Sequence, residues 1–227
     1  MMRLSYSIVI LLIVFSVTLS IAYYPELPDR MVSHWNGNFE PDGTIDKLVG
    51  LSICPIILIL LGAMFLAFPR IDPLKKNIET FRGDFEYFVV LILAFMLFLH
   101  LMVIWWNLGY ELDFGLFFPL WMAAIFFAAG TLCKRARRNW FIGVRTPWAM
   151  NSDRVWKETN RRGGIIFQVS GLLLILGVFS SLLFFILLIA SIIVLGVYTT
   201  TYSYRAYQKE LKEKKSRPRY RRLHDED

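Results

Sequence analysis

The chain has 227 residues, 56% hydrophobic and 19% charged, with a formal net charge of +7. Soluble domains carry roughly 45–50% apolar and about 25% charged residues. Here the excess falls in blocks of about 20 residues, the length that crosses a bilayer core about 30 Å thick. A soluble core is excluded, because the blocks lack the polar faces that its surface helices need.

The first block runs from Leu4 to Ala22 and the second from about Leu48 to Phe68, with Pro55 inside it. The third is Phe85 to Asn107, and the fourth is Phe114 to Cys133, with Pro119 near its first turns, where a missing N–H does little harm. From Ile165 to Tyr198 the chain stays apolar for 34 residues. A single helix of that length is about 50 Å long, too long for a simple crossing, so the stretch reads as two helices that turn near Ser180–Ser181. Ser20-Ile21-Ala22 behind Arg3 also fits a signal-peptidase site, whose use would leave five helices; the length of the apolar stretch favours a retained first helix. Cys54 and Cys133 fall at opposite ends of different blocks, too far apart to bridge.

Counted between the blocks, alternate segments hold 23 Lys and Arg against 2 on the other side. Translocating these residues is disfavoured, so the 23 mark the cytosol. With acidic residues included, the inner face carries +12 and the outer face −5. The expected fold is an all-α integral membrane protein, a six-transmembrane-helix bundle with both termini inside (N-in/C-in), multi-pass in the cell membrane.

The blocks contain essentially no charge. His100 and Gln168 are each expected to bond to a neighbouring helix or a backbone carbonyl. Asp84, Glu86, Glu111 and Asp113 all sit at helix ends, so no carboxylate lies at the depth of His100. This argues against a proton-coupled pump or a charged ion filter. Helix contacts are expected at small residues such as Gly62/Ala63, Ala123/Ala124, Ala128/Ala129/Gly130 and Gly171/Gly177. Trp105, Trp106, Trp121, Tyr23 and Tyr24 fit interfacial belts.

Two polar segments are not ordinary loops. The outer one, residues 23–47, carries prolines, glycines and a Pro41-Asp42-Gly43 turn, which specify a fixed path. It reads as a compact cap whose candidate contacts for an external ligand are His34, Trp35, Asn36, Asp42 and Lys47. His34, Glu40, Asp42 and Asp46 match no strong metal spacing, and neither metal nor cofactor is expected. The basic segment, residues 134–164, offers Thr146-Pro147 as an N-cap and first helical residue, and Ser152 as a cap for a second short helix. There Arg154, Lys157 and Arg161 fall on one face, and Val155, Trp156 and Thr159 on another. Trp140, Trp148 and Trp156 suit a headgroup layer, so the segment reads as amphipathic and lying on anionic lipid, or as a dock for a cytosolic protein. Nucleic acid is not an expected direct partner. The tail, Arg205 to Asp227, reads as a frayed helix that becomes disordered. No catalytic motif occurs, and no enzyme activity is expected.

Leu27-Pro28-Asp29, His34-Trp35-Asn36, Asp42-Gly43 and Lys47 resemble the N-terminal domain of unknown function that precedes the SdpI module in many membrane proteins. Asn139, Gly143-x-Arg145-Thr146-Pro147-Trp148, Ser152, Val155-Trp156 and the Arg161–Gly164 end resemble the SdpI (sporulation-delay immunity) signature itself. The pattern departs at Asn160, where His is expected after Thr159, and the long basic tail is not part of it.

The resemblance implies immunity to a secreted peptide toxin outside and, on toxin binding, retention of a transcriptional repressor at the membrane inside. The outer loop would meet the ligand. Asn139, Gly143, Arg145, Thr146, Pro147, Trp148, Arg154, Trp156, Lys157, Thr159 and Arg161 would form the inner partner- or lipid-binding surface. The organisation expected is an N-terminal two-helix domain over 1–70, a linking loop and third helix over 71–113, an SdpI-like domain over 114–202 and a tail over 203–227. A transporter or lipid-handling protein, with His100 and Gln168 lining a neutral cavity, is the alternative.

Overall fold

The computed structural model describes residues 2–216, with side chains from residue 6 onward. The expected disorder of the tail, over residues 217–227, lies outside the described residues. Six helices are long and apolar enough to cross a membrane. These are α1 (Met2–Tyr23), α2 (Lys47–Ile71), α4 (Arg82–Asn107), α5 (Phe114–Arg135), α7 (Asp153–Leu174, continued by a 3-10 turn Ile175–Phe179) and α8 (Ser181–Ser216). Short helices α3 (Lys75–Glu79) and α6 (Pro147–Met150) lie between them. The turn at Ser180–Ser181 is where the sequence places it: the 3-10 turn ends at an extended Ser180, and α8 begins one residue later.

The outside of the bundle is apolar. Leu60, Leu182 and Val197 are 63%, 68% and 63% exposed, an arrangement that only lipid makes favourable over such a length. The inside follows small residues. A Cβ on Gly130 would lie 2.5 Å from the Gly164 carbonyl oxygen, and one on Gly171 would lie 2.8 Å from that of Ala123. The antiparallel helices α5 and α7 thus touch through their backbones, and a methyl group at either glycine would separate them. Gly62 of α2 makes room for a side chain of α1, since a Cβ there would lie 2.9 Å from Val9 Cγ1. Trp121 departs from the expected belt: its ring packs on Phe95 and Phe98 of α4, away from the helix ends.

The all-α expectation needs one correction. Residues 30–46 form an antiparallel hairpin of β1 (Arg30–Trp35) and β2 (Pro41–Asp46), with irregular register around His34. Pro41-Asp42-Gly43 is not the turn but lies within β2. The turn is made by Asn36, whose side-chain oxygen accepts from the amides of Asn38 and Glu40, an Asx geometry that outcompetes the Pro-Asp-Gly alternative. Gly43 is needed for closeness instead, since a Cβ there would fall 2.9 Å from the His34 Cβ.

α8 has 36 residues, about 54 Å of helix against a core of about 30 Å. Its last turns therefore project beyond the lipid, and residues 205–216 of the tail are helical. They are the part against which the start of α7 is built.

Candidate functional site

The two polar segments lie at opposite ends of the bundle. At one end the hairpin sits on the helix ends, with Leu27, Met31, Leu51 and Ile104 buried beneath it. Asn107, at the end of α4, acts as an extra peptide on its edge: Val32 N donates to Asn107 Oδ1 at 2.7 Å, and Asn107 Nδ2 donates to Val32 O at 2.9 Å. Lys47 Nζ donates to the Leu27 carbonyl at 3.0 Å, pairs with Asp29 at 3.3 Å and lies over the Tyr24 ring, so it anchors the loop. Trp35 packs against Phe114, centroids 4.3 Å apart, and against Trp106. Its indole N–H is buried without a partner. Asn36 holds the turn.

Of the five predicted contacts at this end, Trp35, Asn36 and Lys47 are thus committed to structure. His34 and Asp42 form the outward pair: Nδ1 donates to the carboxylate at 2.5 Å, with side chains 71% and 42% exposed. Among the described residues no three His, Cys, Asp or Glu side chains gather as a metal site. Beside the hairpin lies an open recess of about 530 Å³ lined by Tyr23, Glu26, Trp105, Leu108, Tyr110 and Leu112.

Phe39 ties this end to the rest. It is the only described non-glycine residue with positive φ, at 62°. That conformation costs of order 1 kcal/mol, and it turns the ring among Phe118, Phe184 and Phe185, with centroids 5.9–6.1 Å away. The cost is offset by burying an aromatic face between β-hairpin, α5 and α8.

The other end is a buried polar latch. Asn139, fully buried, accepts from the Phe141 and Ile142 amides and donates to the Arg137 and Ile142 carbonyls. Asn160 holds the next stretch: its Oδ1 accepts from Val144 N at 2.7 Å, and its Nδ2 donates to the Val144 and Trp156 carbonyls. The residue that departs from the expected histidine is therefore a fully engaged core amide. Between them Gly143 has φ +105°, and a Cβ there would lie 2.5 Å from Asn160 Oδ1, so only glycine fits. Arg145 donates to the Trp140 carbonyl. Trp156, 2% exposed, donates from Nε1 to the Ala136 carbonyl at 2.8 Å.

This corrects the headgroup reading of Trp156: the apolar face of the segment packs on the bundle core with Ile142, Ala149 and Val155, not on lipid. Thr159 is likewise fully buried. Nor is the segment a separate short helix, because α7 runs unbroken from Asp153 to Leu174. The expected caps are in place: Thr146 accepts from Ala149 N, and Ser152 from Val155 N. Trp148 packs edge-on against Tyr204 of α8.

Sequence reasoning missed the partners that close this latch. Asp72, 2% exposed, accepts from Trp140 N at 2.8 Å, and Asn77 donates to the Arg138 carbonyl at 2.6 Å. From α8, Ser203 accepts from Thr146 at 2.8 Å, Glu210 accepts from Ser152 at 2.5 Å, and Glu213 pairs with Arg154 at 2.6 Å. Glu158 accepts from the Tyr202 hydroxyl at 2.8 Å. Both Glu158 and Glu210 lie on helix turns beyond the apolar spans. The Tyr202 hydroxyl, with Arg154 helping, holds the Glu158 carboxyl below the usual range. Lys214 and Ser152 do the same for Glu210. A lone acid among basic residues, as Asp72 is after Arg70, was the available signal. Of the predicted inner surface, Arg145, Pro147, Arg154, Lys157 and Arg161 remain exposed.

Inside the bundle, His100 is 2% exposed and bonds to Ser20 Oγ at 3.0 Å. Gln168 Nε2 donates to Thr131 Oγ1 at 2.9 Å. Both spend their polar atoms on neighbouring helices.

Residues 135–203 match the SdpI/YfhL protein family, and residues 11–59 match a domain of unknown function, DUF1648. The chain is 27% identical over 201 residues to a protein of Bacillus subtilis (strain 168) named "Immunity protein SdpI", covering 88% of this chain and 94% of that one. No solved structure matches it. This multi-pass membrane protein is thus similar over residues 135–203 to the SdpI/YfhL family, with a stretch similar to DUF1648 at residues 11–59 ahead of it.

Proposed function

We propose that this chain is an immunity protein that meets a peptide toxin at its hairpin and docks a cytosolic repressor at its basic end, with both termini in the cytosol. The positive residues at one end support that orientation. The observation that carries the reading is the hairpin: a rigidly anchored two-stranded platform that turns the His34–Asp42 pair outward beside the aromatic recess. Such a surface offers a cationic, amphipathic peptide both a carboxylate and apolar contact. The relative's name, immunity protein, supports the same direction.

At the basic end, exposed Arg145, Lys157 and Arg161 surround a rigid latch and suit an acidic protein surface. His100 and Gln168 bond to Ser20 and Thr131 of neighbouring helices, which favours this reading over the transporter alternative.

Expression in a toxin-sensitive strain tests the proposal. Survival should rise with the intact chain and fall back with His34→Ala/Asp42→Ala, at equal membrane abundance. Unchanged killing with the intact chain removes the reading.

A further inference from the structure

The seam between α5 and α7 joins the basic segment to an apolar groove that the proposed function does not use. On α7, Lys157, Arg161, Gln168, Leu172 and Ile175 recur along one stripe at helical spacing. On α5, Lys134, Thr131, Phe127, Ala124 and Leu120 form the matching stripe. The apolar part of the two stripes, from Leu120 and Ile175 to Thr131, walls a groove of about 440 Å³ that opens sideways to the lipid.

Thr131 closes the basic end of the groove, and beyond it the seam turns polar. Thr131 Oγ1 accepts from Gln168 Nε2 at 2.9 Å, and Gln168 Oε1 accepts from Lys134 Nζ at 3.0 Å. The amide thus holds the ammonium over the groove mouth. Arg161 and Lys157 follow about two and three turns beyond Gln168 on the α7 stripe, both exposed. Nearby cations are neutralised, Arg135 by Asp84 and Arg154 by Glu158 and Glu213. Among the described residues, Lys134, Lys157 and Arg161 have no carboxylate partner.

We propose that this seam binds one anionic diacyl phospholipid, with its phosphodiester at Lys134 and Arg161 and one acyl chain along the groove. Unpaired cations at a membrane surface attract anionic headgroups, and the low dielectric of the adjoining lipid strengthens that pairing. The groove supplies what a bare basic surface lacks, an apolar channel continuous with the charge. A zwitterionic lipid carries its own cation and gains less. The site sharpens the expectation of anionic-lipid contact: the contact lies at a helix seam and not under the Trp156 face, which is buried. It is independent of the toxin reading, which stands or falls separately.

The test uses the purified full-length chain, with lipid retention read by native mass spectrometry and melting temperature read in parallel. Phosphatidylglycerol should be retained and should raise the melting temperature more than phosphatidylcholine of the same chains. Glycerophosphoglycerol, the headgroup without tails, should do neither. Lys134→Gln and Arg161→Gln should each weaken phosphatidylglycerol retention about fivefold, from about 1 kcal/mol per cation. Ala124→Phe, which fills the groove without changing charge, should weaken it too. Arg205→Gln/Lys209→Gln removes charge from α8 and should leave it intact. All five positions are exposed, so the variants keep the core, and helical circular dichroism checks this. Equal retention of the two lipids, an equal loss in the α8 variant, no loss in Ala124→Phe, or a matching effect of the tail-less headgroup would each overturn the proposal.

Discussion

The two ends of the molecule look alike in sequence, each a polar loop with tryptophan, asparagine and turn residues, and they are built on opposite logic. At the basic end the distinctive residues point inward: Asn139, Thr159, Asn160 and Trp156 are all at most 2% exposed. At the hairpin end part of the motif anchors the platform while His34 and Asp42 face out. A recognisable motif therefore means scaffold at one end and exposed chemistry at the other. Only the folded structure separates the two, because Asn-rich turns and buried amide latches use the same residues.

The largest expected effect comes from breaking the latch. Asn139→Ala strips four backbone groups of their partners at a fully buried turn. It should cost about 3 kcal/mol or more, read as a lower midpoint in chemical denaturation. Gly143→Ala should follow at about 2 kcal/mol, since its Cβ meets Asn160 while φ is held positive. If either variant melts like the parent, the inward reading of this end is wrong.

At the hairpin end Asn107→Ala should loosen the cap alone, by about 1–2 kcal/mol. The measurement is hydrogen exchange at the Val32 amide, which should speed up while the core of α5 and α7 stays protected. His34→Ala/Asp42→Ala should shift global stability by only about 0.5 kcal/mol, as exposed ion pairs do. A large loss of stability there would make the pair structural and dissolve the contrast.

The smallest effect is a pH response at the α7–α8 junction. Glu158 and Glu210 have lowered folded values, so their stabilisation is present above the ordinary carboxylate value of about 4.3 and is lost as pH falls through the lower folded value. Melting temperature should therefore decline below about pH 4.3, and less steeply in Glu158→Gln/Glu210→Gln.

The helices, the break at Ser180–Ser181 and the caps at Thr146 and Ser152 were legible because each rests on local physics: apolar length, small residues and capping side chains. The hairpin was not, since its strands are six residues long and irregular at His34, while Asn36 rather than Pro-Asp-Gly closes it. Trp156 was misplaced for a more general reason. An apolar face on a basic helix at a membrane edge satisfies lipid and protein equally well, and periodicity carries no mark of which one it meets. Asp72, Ser203 and Glu210 act across long sequence separations, which no local pattern reports. His34 and Asp42 were legible as candidates, but only the hairpin register puts them side by side.

The Phe39 ring has a further consequence for how the chain divides. The two family matches stop at residue 59 and start at residue 135, which suggests separable modules. Yet the ring that plugs Phe118, Phe184 and Phe185 comes from the first of them. Excising residues 114–216 would leave an unfilled aromatic socket at one rim of the fragment, and the amino-terminal half would carry a stranded phenylalanine held in a costly backbone turn. The halves are a plug and its housing.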